Sequence, residues 1–231
     1  MTFVLTDGSG HTEHSRLDST TAVLERAGAS RGAIHGAMSD QQLYQAILAG
    51  ERDVFTKLVD ELASALQQAG VTYVVGDAVE GFNPGHDVCR LLLNAALLRI
   101  EQATGQQLRN MEYPVEAPPD ECPSEDRADA IFLTLDDEAF GRKMDAVRGY
   151  PEMAAEMERV REIYNTDVFR IECLRPVRYG LDIGHRFQHP CMYELYGEKQ
   201  VAAGIYGEVL RFREHIAPLA AYLDAYCRAT R

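Results

Sequence analysis

Residues 71–98, VTYVVGDAVEGFNPGHDVCRLLLNAALL, constrain this chain most, because they read as strand, loop and helix with a histidine at the helix mouth. Val71, Tyr73, Val74 and Val75 form a short β-branched and aromatic run, the pattern of a buried strand. A loop from Asp77 to Gly85 follows, carrying two acidic residues, Asn83, Pro84 and two glycines, before the nearly all-apolar stretch from Val88 to Leu98 predicts a buried helix. His86 then lies in the first helical turn. Ligands of open α/β sheets bind beyond the carboxyl ends of the strands, where such loops lie. The partial positive charge of a helix N-terminus opposes a second cation, so the expectation is a neutral imidazole, the form that binds a metal.

The first half alternates strand and helix around this unit. Residues 2–6 predict a buried strand, followed by the turn chemistry of Asp7-Gly8-Ser9-Gly10. Residues 16–29 are a weak helix candidate. Ser39-Asp40 starts a clear helix with Leu43 and Ile47 and, after Gly50, Phe55, Leu58, Leu62 and Leu66 at helical spacing, with Gly70 closing it. Short strands are expected at 108–115, 130–135 and 168–174, with an exposed proline-rich loop at 114–123. Helices are expected after Asp136 or Asp137 and from Pro151. A last apolar stripe runs through Val201, Ile205, Val209, Phe212, Ile216, Leu219 and Leu223, with Pro218 kinking or dividing it. The fold class this predicts is α/β, a Rossmann-like three-layer sandwich with a mainly parallel sheet and a helical C-terminal extension. A single domain is expected, with 1–135 as the α/β core and 136–231 as its helical and loop part.

A chain of 231 residues that is 46% hydrophobic can bury one sizeable core. A net charge of −13 repels phosphate, so nucleic acid and anionic membrane are not the expected partners. Five cysteines without C-x-x-C spacing indicate neither a disulfide framework nor a cysteine zinc site, and a reducing cytoplasm is the expected compartment. The apolar run 3–5 is too short for a signal-peptide core, and no segment has the apolar length to span a bilayer.

Two segments, Leu5-Thr6-Asp7-Gly8-Ser9-Gly10 and Gly81-Phe82-Asn83-Pro84-Gly85-His86, together resemble the PIG-L/LmbE-type zinc-dependent N-deacetylases. The first is similar to the strand and turn that follow the family's opening metal motif, the second to its later H-P-D-H motif. The resemblance spans roughly residues 2 to 100 and implies hydrolysis of an N-acetyl amide on a small-molecule amino-sugar conjugate, with zinc as cofactor. It makes His86 a zinc ligand and puts Asn83 where the family's oxyanion-stabilising histidine stands. Gly85 replaces the motif's aspartate. The opening H-P-D-D motif, source of two ligands and the general base, is absent from these residues. A catalytic zinc needs three protein ligands. Either the chain is a shortened copy starting at the second strand, or the site is rebuilt or lost; a rebuilt shell would take His11, His14 and His86, with Asp7 or Glu13 as base. The alternative is a non-catalytic scaffold or binding protein that has lost the zinc site. If Met1 is the true start, self-association through the sheet edge beside Phe3, or a rearranged strand there, is expected.

Glu80 and Asp77 are candidates for binding substrate hydroxyls or for capping turns. His185 and Arg186, in GHRFQHPC, are candidates for a substrate wall or for a packed irregular segment. His35 reads as a loop histidine, Asp87 as a complement to the helix dipole, Tyr193-Glu194 as the entrance to the last helix, and Cys89 as an inert core thiol.

Overall fold

The computed structural model describes residues 1–229 apart from His11, Glu13 and Tyr164. In chain order its elements are β1 (Thr2–Thr6), α1 (Leu17–Arg26), β2 (Arg31–Met38), α2 (Asp40–Ala49), α3 (Arg52–Gln68), β3 (Tyr73–Asp77), α4 (Pro84–Thr104), β4 (Arg109–Tyr113), β5 (Ile131–Thr134), α5 (Asp137–Arg148), α6 (Ala154–Ile163), β6 (Ile171–Pro176), α7 (Met192–Ala202) and α8 (Ala217–Ala229). The protein is mixed α/β, as its periodicities predict. Its contacts resolve into two compact units that interleave along the chain, 1–40 with 113–176, and 41–112 with 177–231.

In the first unit β1 and β2 pair in parallel, with Thr2 beside Arg31, Val4 beside His35 and Thr6 beside Met38, and α1 is the crossover that a parallel pair requires. The sequence reading missed β2. Its glycines and alanines leave Ile34 as its one buried large apolar residue, too sparse a pattern to register as a strand. His35 is therefore a strand residue, not a loop histidine. β5 and β6 pair antiparallel, Ile131 opposite Leu174 and Thr134 opposite Ile171.

The second unit is built on α4. This 21-residue helix buries Val88, Leu91, Leu92, Ala95, Ala96 and Ile100 together with the polar Asp87, Arg90 and Asn94. A helix apolar around its circumference has to be enclosed, and α3, α8 and β3 enclose it. Phe55, Leu58, Val59, Leu62 and Leu66 come from α3, Leu219, Leu223 and Cys227 from α8. Asp60 on α3 bonds Arg99 Nε at 3.0 Å and the Tyr226 hydroxyl at 2.7 Å, so one carboxylate ties the three helices together. The ends of α4 follow its sequence. Asn83 caps it, Pro84 opens it, and Gly105 closes it with a left-handed φ of 73°.

The expected last helix is two helices. α7 ends at Ala202, residues 203–211 are irregular, and a π-type turn at Phe212–Ile216 leads into α8. Gly204 takes a φ of 72°, which ends α7, and Ile205, expected on the buried stripe, is 65% exposed. Pro218 is the second residue of α8 and follows directly on the π-type turn, so the helical run passes through it without being divided there. Cys89, expected in the core, is only half-buried.

Candidate functional site

The site forms where β3 runs into α4. β3 ends on Asp77, and three α4 residues reach back to the segment that precedes them. His86 Nδ1 donates to Asp77 Oδ2 at 2.7 Å. Arg90, one helical turn on and fully buried, donates from Nε to the Asp77 carbonyl at 2.6 Å, and its other nitrogens reach Asn110 Oδ1 at 2.8 Å and the Met111 carbonyl at 3.0 Å. Asp77 is thus gripped by side chain and main chain from one helix face. Gly76 leaves room for this arginine, since a Cβ there would lie 2.9 Å from Arg90 Nη2. Asp87 Oδ1 accepts from the Glu80 and Gly81 N–H groups at 3.0 and 3.3 Å.

The carboxylate on Nδ1 fixes the tautomer of His86 and leaves Nε2 with no partner among the described residues. The imidazole side chain is 42% exposed, its aspartate 16%. Burial alone would lower the His86 pKa. The Asp77 hydrogen bond and the charges of Asp77, Asp87 and Glu80 outweigh it and carry the value above the ordinary 6.5. The helix N-terminus therefore does not decide the charge state of this histidine; three carboxylates do. Asp87, 1% exposed, is pushed from 3.8 to about 6 by burial, which exceeds the opposing effect of its two backbone bonds and of Arg186 and His86.

Asn83 is half-buried, with its amide oxygen committed to the cap. Oδ1 accepts from Gly85 N at 2.7 Å and from the Tyr44 hydroxyl at 3.4 Å. Its amide NH2 has no partner among the described residues.

Residues of the C-terminal segment hold the same turn from the other side. Arg186 donates from Nε to the Val79 carbonyl at 2.8 Å, its guanidinium 4.5 Å from the Tyr179 ring centre and 5.9 Å from that of Phe187. Met192 N bonds the Gly81 carbonyl at 2.8 Å. Gly81 has a φ of 68°, and a Cβ there would lie 2.8 Å from Cys191 Sγ. The buried Glu194 carboxylate accepts from Cys191 N at 3.3 Å and Phe212 N at 3.2 Å, and pairs with Arg211 at 3.5 Å. Tyr193-Glu194 is thus part of the support of the turn. His185 is exposed on the same segment.

His86, Asp77, Glu80, Asn83 and Arg186 accordingly meet at one strand–helix junction. Asp7 and His14 belong to the first unit. Asp7 Oδ1 accepts from Ser9 N at 3.0 Å and Ser9 Oγ at 2.7 Å, and although burial pulls the other way, these bonds hold its pKa below the ordinary value. Gly10 N donates to Asp40 Oδ2 at 2.6 Å, so Asp40 ties down the β1 loop from the start of α2. His14 is exposed, and His11 and Glu13 lie outside the described residues. Among the described residues no three His, Cys, Asp or Glu side chains come together as a group that could hold a metal ion. No helix among them is long and apolar enough to cross a membrane.

Sequence reasoning missed Arg90 and the clamping role of Asp87. The available signal was their place in an otherwise apolar helix, since a charged residue in a helix buried all round must find a partner.

No protein-family model and no curated protein matches the chain. Among solved structures it is similar to the crystal structure of the antimicrobial reagent A40926 pseudoaglycone deacetylase Dbv21, at 18% identity and a TM-score of 0.49, covering 77% of this chain and 84% of that one.

Proposed function

We propose that this protein is an amide hydrolase of the PIG-L/LmbE type that removes the acetyl group from an N-acetylated amino-sugar conjugate, with Asp77 and His86 at its reaction centre. The observation that supports this reading is the 2.7 Å contact between His86 Nδ1 and Asp77 Oδ2, which leaves Nε2 uncommitted on a half-exposed ring at the mouth of α4. In the neutral ring Nε2 takes a proton from water as the water oxygen bonds to the amide carbon, and Asp77 stabilises the imidazolium that forms. The Asn83 NH2 donates to the carbonyl oxygen as it becomes an oxyanion. The proton then passes from Nε2 to the amine nitrogen as the C–N bond breaks, releasing acetate. Glu80, Arg186 and His185 are the proposed substrate contacts.

Zinc, which the sequence resemblance implies, requires two protein donors beyond His86. The described residues do not fit it, because they bring no third donor to the group, and no step above passes through a metal. That same donor set favours a second reading, a non-catalytic scaffold that binds an amino-sugar conjugate.

The test measures acetate release from N-acetylglucosamine conjugates together with metal content, for the wild type and His86→Ala. The hydrolase reading expects a loss of activity on the order of 10³-fold in the variant. Equal activity in the two proteins removes His86 from the chemistry. Binding of the conjugates without acetate release from the wild type establishes the scaffold reading instead.

A further inference from the structure

Two polar atoms on residues that hold the Glu80–Gly81 turn have no hydrogen-bond partner among the described residues. Asp87 is 1% exposed and Tyr193 7%, and Asp87 Oδ2 and the Tyr193 hydroxyl are buried and unpaired among the described residues. Both residues hold the Gly81 peptide, and after burial the charge of Asp87, followed by the adjacent Cys191 thiol, keeps the Tyr193 phenol protonated. Each is already engaged with the turn at its other end. Asp87 Oδ1 takes the N–H groups of Glu80 and Gly81, while the Gly81 carbonyl accepts from Met192 N at 2.8 Å and lies 3.5 Å from Tyr193 N. Orphaned buried polar atoms are uncommon, and two with complementary chemistry on residues that hold one peptide match the usual setting of an internal water. A carboxylate oxygen accepts only, a phenol can donate, and a water between them donates to one and accepts from the other.

We infer that a single sequestered water bridges the Tyr193 hydroxyl and Asp87 Oδ2, making Tyr193 a positioning residue for the turn that carries the chain from Asp77 to His86. Without that bridge the Asp87 carboxylate can rotate and its grip on the two N–H groups slackens. The effect on turnover rests on the hydrolase reading; the water and the ordering of the turn do not.

The experiment compares wild type with Tyr193→Phe, full-length, which removes one oxygen and keeps the ring. Amide exchange at Glu80 and Gly81 is expected to rise about tenfold, with exchange in α8 unchanged. On an N-acetylglucosamine conjugate that the wild type hydrolyses, kcat is expected to fall about tenfold with KM unchanged, because a loosened turn misplaces the reaction centre without removing a substrate contact. A high-resolution crystal structure of the wild type is expected to show one water within hydrogen-bond distance of both oxygens. Absence of that water, unchanged exchange at Glu80 and Gly81, or a uniform rise that includes α8, overturns the inference. A wild type without acetate release, with the exchange and water results as expected, overturns the hydrolase reading and leaves this inference standing.

Discussion

Asp87→Asn should make the protein more stable in alkali, and the structure sets the size of the effect. The folded protein holds the Asp87 carboxyl at about 6 against an ordinary 3.8, chiefly because the group is buried. The native state therefore binds this proton more tightly than the unfolded chain does. The associated stability is fully present below 3.8 and is lost as the pH rises through about 6. The difference corresponds to about 3 kcal/mol. Asparagine removes that dependence and retains the clamp, because its Oδ1 still accepts from Glu80 and Gly81 while its NH2 faces the Tyr193 side. His86 works in the opposite sense, since the Asp87 charge favours its cation, so the comparison is read in alkali, near pH 9, where that contribution is smallest. In urea titrations the gap between variant and wild type should move by about 2 kcal/mol in favour of the variant from about pH 4 to about pH 9, on the order of a 1 M displacement of the midpoint. A gap that stays level across that range, or moves toward the wild type, refutes the burial argument.

Asp77→Asn should lower the His86 pKa, because it removes the charge and weakens the bond that together hold the imidazole above its ordinary value; NMR titration of the ring protons checks this, and an unmoved titration contradicts it. Gly81→Ala should cost about 2 kcal/mol or more in urea unfolding, since it forces a left-handed φ and a contact 2.8 Å from Cys191 Sγ, and Cys191→Ala in the same chain should restore part of the loss. Burial pushes the thiols of Cys173 and Cys227 up to about 11 and that of Cys191 to about 12. Iodoacetamide at mildly alkaline pH should therefore label the half-buried Cys89 and Cys122 first, and mass spectrometry showing early labelling of Cys191 would argue against its burial under the turn.

Where local pattern and tertiary role coincide, the sequence is readable. The β3 run, the Asn83-Pro84 start and the apolar α4 place His86 at a strand–helix junction, and the structure has it there with Asp77 as its partner, although of the run expected to be buried Val71 lies outside the strand, Tyr73 is 62% exposed and only Val74 is buried. Pattern misleads where it persists without packing. Val201, Ile205 and Val209 keep helical spacing with the α8 residues, yet Gly204 turns the chain and Ile205 faces solvent, since spacing registers a possible face and not whether another element covers it. Pattern also fails where packing is close but side chains are small, as in β2, whose pairing with β1 rests on backbone bonds that any sequence can supply. Asp87 illustrates a third limit. An acidic residue in a first helical turn has an ordinary role at the surface, and only its 1% exposure makes it a clamp.

The same reasoning accounts for why the support of the site was hidden. Between Asp77 and Gly81 the gripped atoms belong largely to the main chain: the Asp77 carbonyl by Arg90, the Val79 carbonyl by Arg186, the Glu80 and Gly81 N–H groups by Asp87, and the Gly81 carbonyl by Met192 N. Main-chain donors and acceptors must be satisfied in every buried loop, and their chemistry does not vary with the residue that carries them, so nothing in the loop's own sequence names its partners. The partners reveal themselves only as charged or polar residues in places that would otherwise be apolar. Arg90 and Asp87 in α4 and Glu194 at the start of α7 are such residues, all three buried and all three committed to holding backbone in place. The orientation of Asp77 toward His86 therefore depends on residues more than a hundred positions downstream as much as on the turn itself. A substitution at Arg186 or Glu194 acts on the reaction centre through the backbone it holds, without touching His86.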